Sequence, residues 1–479
     1  MSYKVLGRFI GRILFLEALL MVPALLISLF NSENAAVKGF LITIGIIIAV
    51  SVILMILCRK AQDSFRAKEG VVCVGISWLV LSLLGCLPFC ISGEIPSYVD
   101  ALFEMVSGFT TTGASIVTNI EELSKGILYW RSFSHWVGGM GVLVFLLAFV
   151  PADGSVHLLR AESPGPEVSK LVPKMKNSSL ILYTMYIVLS VLNLIFLLAG
   201  KMPLFDAVCT VFGTAGTGGF GVRADSLASY SPYLQTVTAV FMLLFGMNFG
   251  CFYLLVLKRV KSFFRDEELR LYIGIIIGSV AIIAVNIYSI YGNIWDTLRH
   301  AFFQVSSIIT TTGFVTTDFN LWPSLSKAVL LCLMLVGACA GSTGGGFKCV
   351  RLLLVLKGIR RSIQKIMHPR KVIAIRNNDT AVDESTMDGV NAYLATYAII
   401  LVISFLLVSV DGFSVETNVS SVLSCFNNIG PGLDTTGPTG SFAPYSVFSK
   451  IILIIDMLAG RLEIFPILAL LPLSTWKKS

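Results

Sequence analysis

The sequence predicts an all-α integral membrane protein of about ten transmembrane helices, in which two extra N-terminal helices precede four pseudo-repeats of helix, short re-entrant helix, loop and helix. Three observations predict it. Hydrophobic residues make up 55% of the 479, and charged residues only 13%, where a soluble domain averages about 25% charged. Apolar runs of bilayer-crossing length, roughly 20 residues, recur along the chain. Between them lie four shorter half-apolar stretches, each ending in a glycine-rich turn.

Candidate spans lie near 9–30, 38–58, 71–93, 127–150, 178–200, 232–257, 271–292, 326–347, 389–411 and 447–472. The first resembles a signal peptide, with Lys4, Arg8 and Arg12 ahead of the run from Phe15 to Phe30. That run carries Glu17 and lacks a cleavage site, so it is read as a retained helix. The short stretches at 99–113, 205–219, 299–313 and 417–430 are too short to cross and read as re-entrant. The chain then divides into two leading helices (1–69) and four repeats at 70–160, 161–265, 266–380 and 381–479.

The ten cysteines are scattered and show no ligand spacing, so they read as small apolar filler. The net charge of +8 sits in loops and does not imply nucleic acid. Basic residues cluster after alternate spans: Arg59, Lys60, Arg66 and Lys68; Arg160, Lys170, Lys174 and Lys176; Lys258 to Arg270; and Lys348 to Arg376. By the positive-inside rule these loops and both termini are cytoplasmic. The last cluster also suits anionic membrane lipid.

Aligned on their last glycine, the short stretches read DALFEMVSGFTTTG (100–113), DAVCTVFGTAGTGG (206–219), HAFFQVSSIITTTG (300–313) and TNVSSVLSCFNNIG (417–430), without a gap. Their closing windows are Thr110-Thr111-Thr112-Gly113, Gly216-Thr217-Gly218-Gly219, Thr310-Thr311-Thr312-Gly313 and Asn427-Asn428-Ile429-Gly430. Only the final glycine is common to all four. Irregular backbone at membrane depth must be buried in protein or line a watery path, so four such loops point to one pore. A cation there needs oxygens to replace its hydration shell, and rings of carbonyls supply them. Glycine permits positive φ, while threonine adds a hydroxyl and is expected to favour extended backbone. The short helices would aim their negative C-terminal ends at the cation. Asp100 and Asp206 stand where N-caps would start two of them. Glu104, Asp225 and Asp434 are candidates for an acidic outer mouth, with solvated-surface roles the equal alternative.

Two further features lie inside the membrane. GACAGSTGGGFK, at 337–348, cannot persist as helix, because each glycine costs about 1 kcal/mol relative to alanine. It is a poor phosphate loop, since Phe347 separates the glycines from Lys348 and no strand precedes it. A close-packing patch is an alternative. The last span holds Asp456, Arg461 and Glu463, which must face protein or water. In a continuous helix neither carboxylate reaches Arg461, so its partner lies elsewhere or it faces the pore. Gly138, Gly139 and Gly141 read as helix-packing positions.

These segments resemble the Trk/Ktr/HKT superfamily of potassium transporters, and in particular its bacterial TrkH branch. The matching stretches are SGFTTTGAS, GTGGFG, TTTGFVTTD, GACAGSTGGGFKCVR, NNIGPGL and MLAGRLEIF. The likeness spans nearly the whole chain, including two N-terminal helices that the Ktr branch lacks. It implies potassium as the transported ion, bound at the window residues. In the family, glycine in every window goes with potassium selectivity, and serine in the first with sodium permeation. One departure is Asp434 after Leu433, where the family has a small residue. The resemblance also implies an intramembrane gate at Gly341, Ser342, Thr343, Gly344, Gly345, Gly346 and Lys348, with Arg461 beside it. It implies a homodimer with one pore per chain, a cytosolic TrkA-type nucleotide-binding regulatory subunit, and the bacterial cell membrane as location. This chain shows no nucleotide site, so no organic cofactor is expected on it.

Other classes fare worse. Two inverted halves would mark a secondary transporter, whereas these four repeats enter from one side. Coupling of potassium to sodium or protons stays open, as does a less selective monovalent cation transporter. An enzyme is not expected, because no nucleophile–base pair or metal set is present beyond the adjacent Ser134 and His135.

Overall fold

The computed structural model describes residues 3–59, 67–139, 141, 175–378 and 380–472, without the side chains of 67–68 and 175–180. The basic positions Lys60, Arg66, Arg160, Lys170 and Lys174, and the far half of the span expected at 127–150, lie outside the described residues.

Helices α1 (Tyr3–Phe30) and α2 (Asn34–Leu57) form a hairpin, held by a bond from the Ser51 hydroxyl to the Gly11 carbonyl at 2.7 Å. The chain then runs four times through long helix, short helix, turn and second helix. The first pass is α3 (Ala67–Gly85), α4 (Leu87–Ser92), α5 (Tyr98–Phe109) and α6 (Lys125–Gly139). The second is α7 (Met175–Ala199), α8 (Leu204–Ala215), α9 (Pro232–Gly246) and α10 (Phe249–Val256). After α11 (Val260–Arg265), the third is α12 (Glu267–Tyr291), α13 (Ile294–Ile309), α14 (Ser324–Val336) and α15 (Cys349–Met367). A small hairpin pairs Arg376–Asn377 with Thr380–Ala381. The fourth pass is α16 (Glu384–Val408), α17 (Val415–Phe426), α18 (Val447–Arg461) and α19 (Phe465–Leu468).

Among the described residues, six helices are long and apolar enough to cross a membrane, or seven if the bent pair α9–α10 is one span. The expected spans at 232–257, 326–347 and 447–472 are therefore not continuous helices. The second helix of each pass stops after 13 to 15 residues, about 20 Å at 1.5 Å per residue. The α9–α10 pair bends by 91°. Glycines mark these breaks because the helices come against backbone there: an added Cβ on Gly138 or Gly460 would lie within 3.0 Å of the carbonyl of Phe109 or Phe426.

Neighbouring passes interlock in one direction. Helix α6 packs on α8, α9 on α13, α14 on α17 and α18 on α5. Each second helix thus lies against the short helix of the next pass, and the last returns to the first. A single apolar core containing Met105, Phe109, Trp130, Leu453 and Met457 closes that seam.

Candidate functional site

Each of the four short helices ends in the same turn. The third window residue donates its N–H to a carbonyl five residues back: Thr112 to Ser107 at 2.8 Å, Gly218 to Gly213 at 2.8 Å, Thr312 to Ser307 at 2.8 Å and Ile429 to Ser424 at 2.9 Å. The second window residue bonds three back, from Thr111 to Gly108 and equivalently in the others. This is a Schellman cap, which requires left-handed backbone at its second window residue. Thr111, Thr217, Thr311 and Asn428 have φ of 56°, 55°, 58° and 55°. The expected extended threonines are thus overturned at that position. Left-handed backbone is a genuine outlier for a β-branched residue and costs on the order of 1–3 kcal/mol.

The final glycines also have positive φ, of 81°, 76°, 88° and 107°, and they close a circle. An added Cβ on Gly113 would lie within 3.0 Å of the Gly218 carbonyl oxygen. The same holds for Gly219 against Thr312, Gly313 against Ile429 and Gly430 against Thr112. Each glycine therefore faces the third-position carbonyl of the next window, in the order one, two, three, four and back to one. The third position is Thr, Gly, Thr and Ile, so only its backbone is shared. Ile429 buries its side chain in the core, away from the circle. The windows with Thr-Thr-Thr-Gly sit diagonally across the ring.

The glycines open onto a cavity of about 300 Å³. Arg131 and Arg223 line it, and no acidic residue does among the described ones, which corrects the expected acidic mouth. Glu104 is fully buried instead, paired with Arg131 at 2.5 Å, and accepts from the Ile116 N–H at 2.9 Å. The Arg131 guanidinium stacks 3.6 Å from the Phe220 ring and donates to the Gly221 carbonyl at 3.1 Å. The pair buttresses the loops leaving windows one and two. Asp434 is exposed and accepts from the Ser414 and Thr417 hydroxyls, both at 2.7 Å. Those hydroxyls hold its carboxyl below the usual aspartate range. It staples the exit of window four to the start of α17. Asp225 is exposed on the outer loop. Asp100 and Asp206 are not N-caps. Ser97 caps α5, leaving Asp100 to pair with Lys450 at 2.6 Å. Pro203 precedes α8, and Asp206 accepts from the Tyr230 hydroxyl at 2.7 Å.

His135, which sequence spacing left without a role, lies behind windows one and two. Its Nδ1 bonds the Gly108 carbonyl at 2.8 Å, and its Nε2 accepts from the Phe220 N–H at 3.3 Å. That network assigns the Nδ1–H tautomer. The imidazole fills the space where a side chain at position 218 would stand.

Beneath the ring, residues 337–348 leave the helix and form a loop with positive φ at Gly337, Gly341, Gly346 and Lys348. The loop fills the break between α9 and α10. Cys339 donates to the Gly246 carbonyl at 3.0 Å, and Phe249 to the Gly341 carbonyl at 3.1 Å. Upward, the Gly345 N–H donates to the Thr311 hydroxyl at 2.6 Å. An added Cβ on Gly344 or Gly345 would strike the carbonyl of Thr310 or Asn427, so the loop presses directly under windows three and four. Lys348 is buried, and its ammonium donates to the Gly344 carbonyl. Ser342 donates to the Cys339 carbonyl at 2.6 Å.

Arg461 holds the loop from below. Its guanidinium donates to the Thr343 carbonyl at 2.7 Å and to the carbonyls of Gly138 and Gly139 at 2.5 and 2.7 Å. It so connects α18, the loop and the end of α6. The expected continuous last helix is corrected here: it breaks after Arg461, with φ of 60° and 62° at Glu463 and Ile464. The break turns Glu463 toward Arg351 as an ion pair, while Asp456 accepts from the Ser404 hydroxyl at 2.6 Å. Glu268 was also missed. Its carboxylate accepts from the Ala340 and Val350 N–H groups, at 2.7 and 3.0 Å, and clamps both ends of the loop. The acidic run at the start of α12 was the signal available in the sequence.

The family description "TrkH: Cation transport protein" matches residues 36–473. The Trk system potassium uptake protein TrkH of Salmonella typhimurium is 34% identical over 487 residues, covering 100% of both chains. The potassium uptake protein TrkG of Escherichia coli is 30% identical, covering 99% of each. The crystal structure of the potassium transporter TrkH from Vibrio parahaemolyticus superposes with a TM-score of 0.89 at 31% identity, covering 100% of both chains.

Proposed function

Because this chain belongs to the TrkH family of cation transport proteins, we propose that it takes up potassium across the cell membrane through the ring of four windows. The observation that supports the reading is the closed circle of third-position carbonyls, each held against the preceding window's glycine. Such a ring offers oxygens in place of a hydration shell. Further oxygen stands at the second position, where the buried Thr111 hydroxyl has no protein partner among the described residues. Sodium lacks a comparable fit only if the ring stays rigid, and the glycine–carbonyl contacts supply that rigidity. The membrane potential suffices as the driving force: one charge moved inward across 100 mV gains about 2.3 kcal/mol.

In this reading the 337–348 loop is the gate. It occupies the path beneath windows three and four, and the Arg461 charge raises the barrier for a cation below the ring. Opening requires release of the bonds from Arg461 to Thr343 and from Gly345 to Thr311. The basic loops face the cytoplasm by the positive-inside rule and supply the docking face for a cytosolic, TrkA-type nucleotide-binding subunit. The assembly in this reading is a homodimer in a bacterial cell membrane, with both termini inside.

Uptake of radioactive rubidium into liposomes holding the purified chain, with sodium competition and an imposed potential, tests the proposal. Potential-driven uptake resistant to sodium is expected. Uptake that requires a sodium or proton gradient would move the assignment to a coupled symporter. A protein that carries neither cation, alone or with its regulatory partner, would refute it.

A further inference from the structure

The four seams of the ring are not alike. A Cβ built on Gly430 would lie 2.9 Å from the Thr112 carbonyl oxygen, and the matching oxygen is nearer at each of the other three seams. Gly430 also has the largest φ of the four glycines, 107°. The contact between windows four and one is therefore the loosest of the circle. A side chain crosses at that seam. The Asn428 amide nitrogen donates to the Thr112 hydroxyl at 3.0 Å and to the Met457 carbonyl on α18 at 2.9 Å. At the same position of the other windows, Thr217 turns its hydroxyl back onto the Gly216 carbonyl at 2.6 Å, and Thr311 takes the Gly345 N–H. The Thr111 hydroxyl has no protein partner. Among the described residues, Asn428 alone bonds one window to another through a side chain.

The bond has one direction. A carbonyl only accepts, so the amide atom facing Met457 is the NH₂ group. The Thr110 hydroxyl spends its hydrogen on the Val106 carbonyl at 2.6 Å. The Thr112 hydroxyl, 2.8 Å from that of Thr110, gives its own hydrogen there and keeps its oxygen for Asn428. Window three repeats the hydroxyl pair, with Thr312 2.7 Å from Thr310, but no amide reaches it. Asn428 and Thr112 are fully buried, where a donor left without its acceptor is costly.

We propose that Asn428 sets the spacing of windows four and one, and through it the preference for potassium over sodium. The effect on selectivity rests on the filter reading above. A smaller cation is held only if the oxygens close in on it. The glycine contacts oppose that movement at three seams, and the amide bridge opposes it at the fourth, where the glycine contact is slack. Asn428 is thus a positioning residue: it acts through its nitrogen on Thr112, not as an oxygen ligand of the cation.

The test is a double-variant cycle in liposomes holding the full chain, read as sodium competition of rubidium uptake. Asn428→Thr removes the donor and installs the residue that the other three windows carry there with the same left-handed backbone. Thr112→Val removes the acceptor. Each is expected to lower the rubidium-over-sodium preference several-fold, and the double variant no further than either alone. Thr312→Val removes the equivalent hydroxyl where no bridge exists, and its effect should multiply with that of Asn428→Thr. Wild-type preference in Asn428→Thr would overturn the bridge. So would a double variant with Thr112→Val that shows the product of the two single effects, the result expected of a direct ligand. Should Asn428→Thr not fold, Thr112→Val must still lose more preference than Thr312→Val, and equal losses overturn the inference. The wild-type chain keeps the two readings apart. Wild-type uptake without preference refutes the filter, whereas a selective wild type with unaffected variants refutes only the Asn428 bridge.

Discussion

Arg461 reaches the Thr343 carbonyl at 2.7 Å while the same guanidinium bonds Gly138 and Gly139. One side chain on α18 thus ties the 337–348 loop to the end of α6. Replacing it by alanine removes both the tether and the positive charge under the windows. Arg461→Ala is expected to raise rubidium flux several-fold at equal expression, and Arg461→Lys, which cannot fork to three carbonyls, to lie between. Unchanged flux in both variants would show that the contact does not restrain transport.

Gly219 and Gly313 each combine positive φ with a carbonyl where a Cβ would stand. Serine or alanine at either position must push the neighbouring window aside. Strain of this kind is worth about 1–3 kcal/mol, or roughly a fivefold to 150-fold change in a ratio of affinities. The potassium-over-sodium preference should fall by that order in Gly219→Ala, Gly313→Ser and Gly113→Ser. Sodium competition of rubidium uptake measures it.

Thr311 performs two tasks: left-handed backbone in the window and acceptance of the Gly345 N–H at 2.6 Å. Thr311→Val keeps the shape and deletes the acceptor. An unpaired buried N–H costs about 1–3 kcal/mol, so the loop should loosen and flux rise. Thr311→Ser should restore the wild-type rate, and failure of that rescue would show that the hydroxyl is not what matters.

The Glu104–Arg131 pair is buried at both ends. Removing one partner strands a charge, at a cost of about 3–5 kcal/mol. Arg131→Ala should therefore lower the thermal midpoint in detergent markedly. The double variant Glu104→Gln, Arg131→Met should recover much of the loss. Equal losses in the single and double variants would deny the pairing.

Asp434 gives a pH test. The Ser414 and Thr417 hydroxyls hold its folded-state carboxyl below the ordinary 3.8. Its contribution is therefore complete above the unfolded value and disappears as pH falls through the lower folded one. Wild type and Asp434→Asn should differ in thermal midpoint by a constant amount from neutral pH down to about 5, and converge only in stronger acid. A gap that closes near neutrality would assign it to another group.

Much of this architecture was legible in the linear pattern. Apolar runs of bilayer length announced the membrane. The last glycine of each window was recoverable because two demands, positive φ and a facing carbonyl, exclude every other residue there. The helix-breaking run at 337–348 and the buried cost of Arg461 were readable for similar reasons, since each residue violates a local rule that membrane depth enforces. What the sequence could not carry were contacts whose partners are far apart in the chain. The direction of the ring, the insertion of the loop into the α9–α10 break, the burial of Glu104 against Arg131, and the roles of His135 and Glu268 all depend on which passes become neighbours. Threonine's left-handed turn belongs with them. Local propensity argues for extended backbone at Thr111, Thr217 and Thr311, and only the closed ring, packed on every side, over-determines the strained alternative. Composition and period settled what the chain is made of; the circular packing of each second helix on the next short helix decided where its oxygens point.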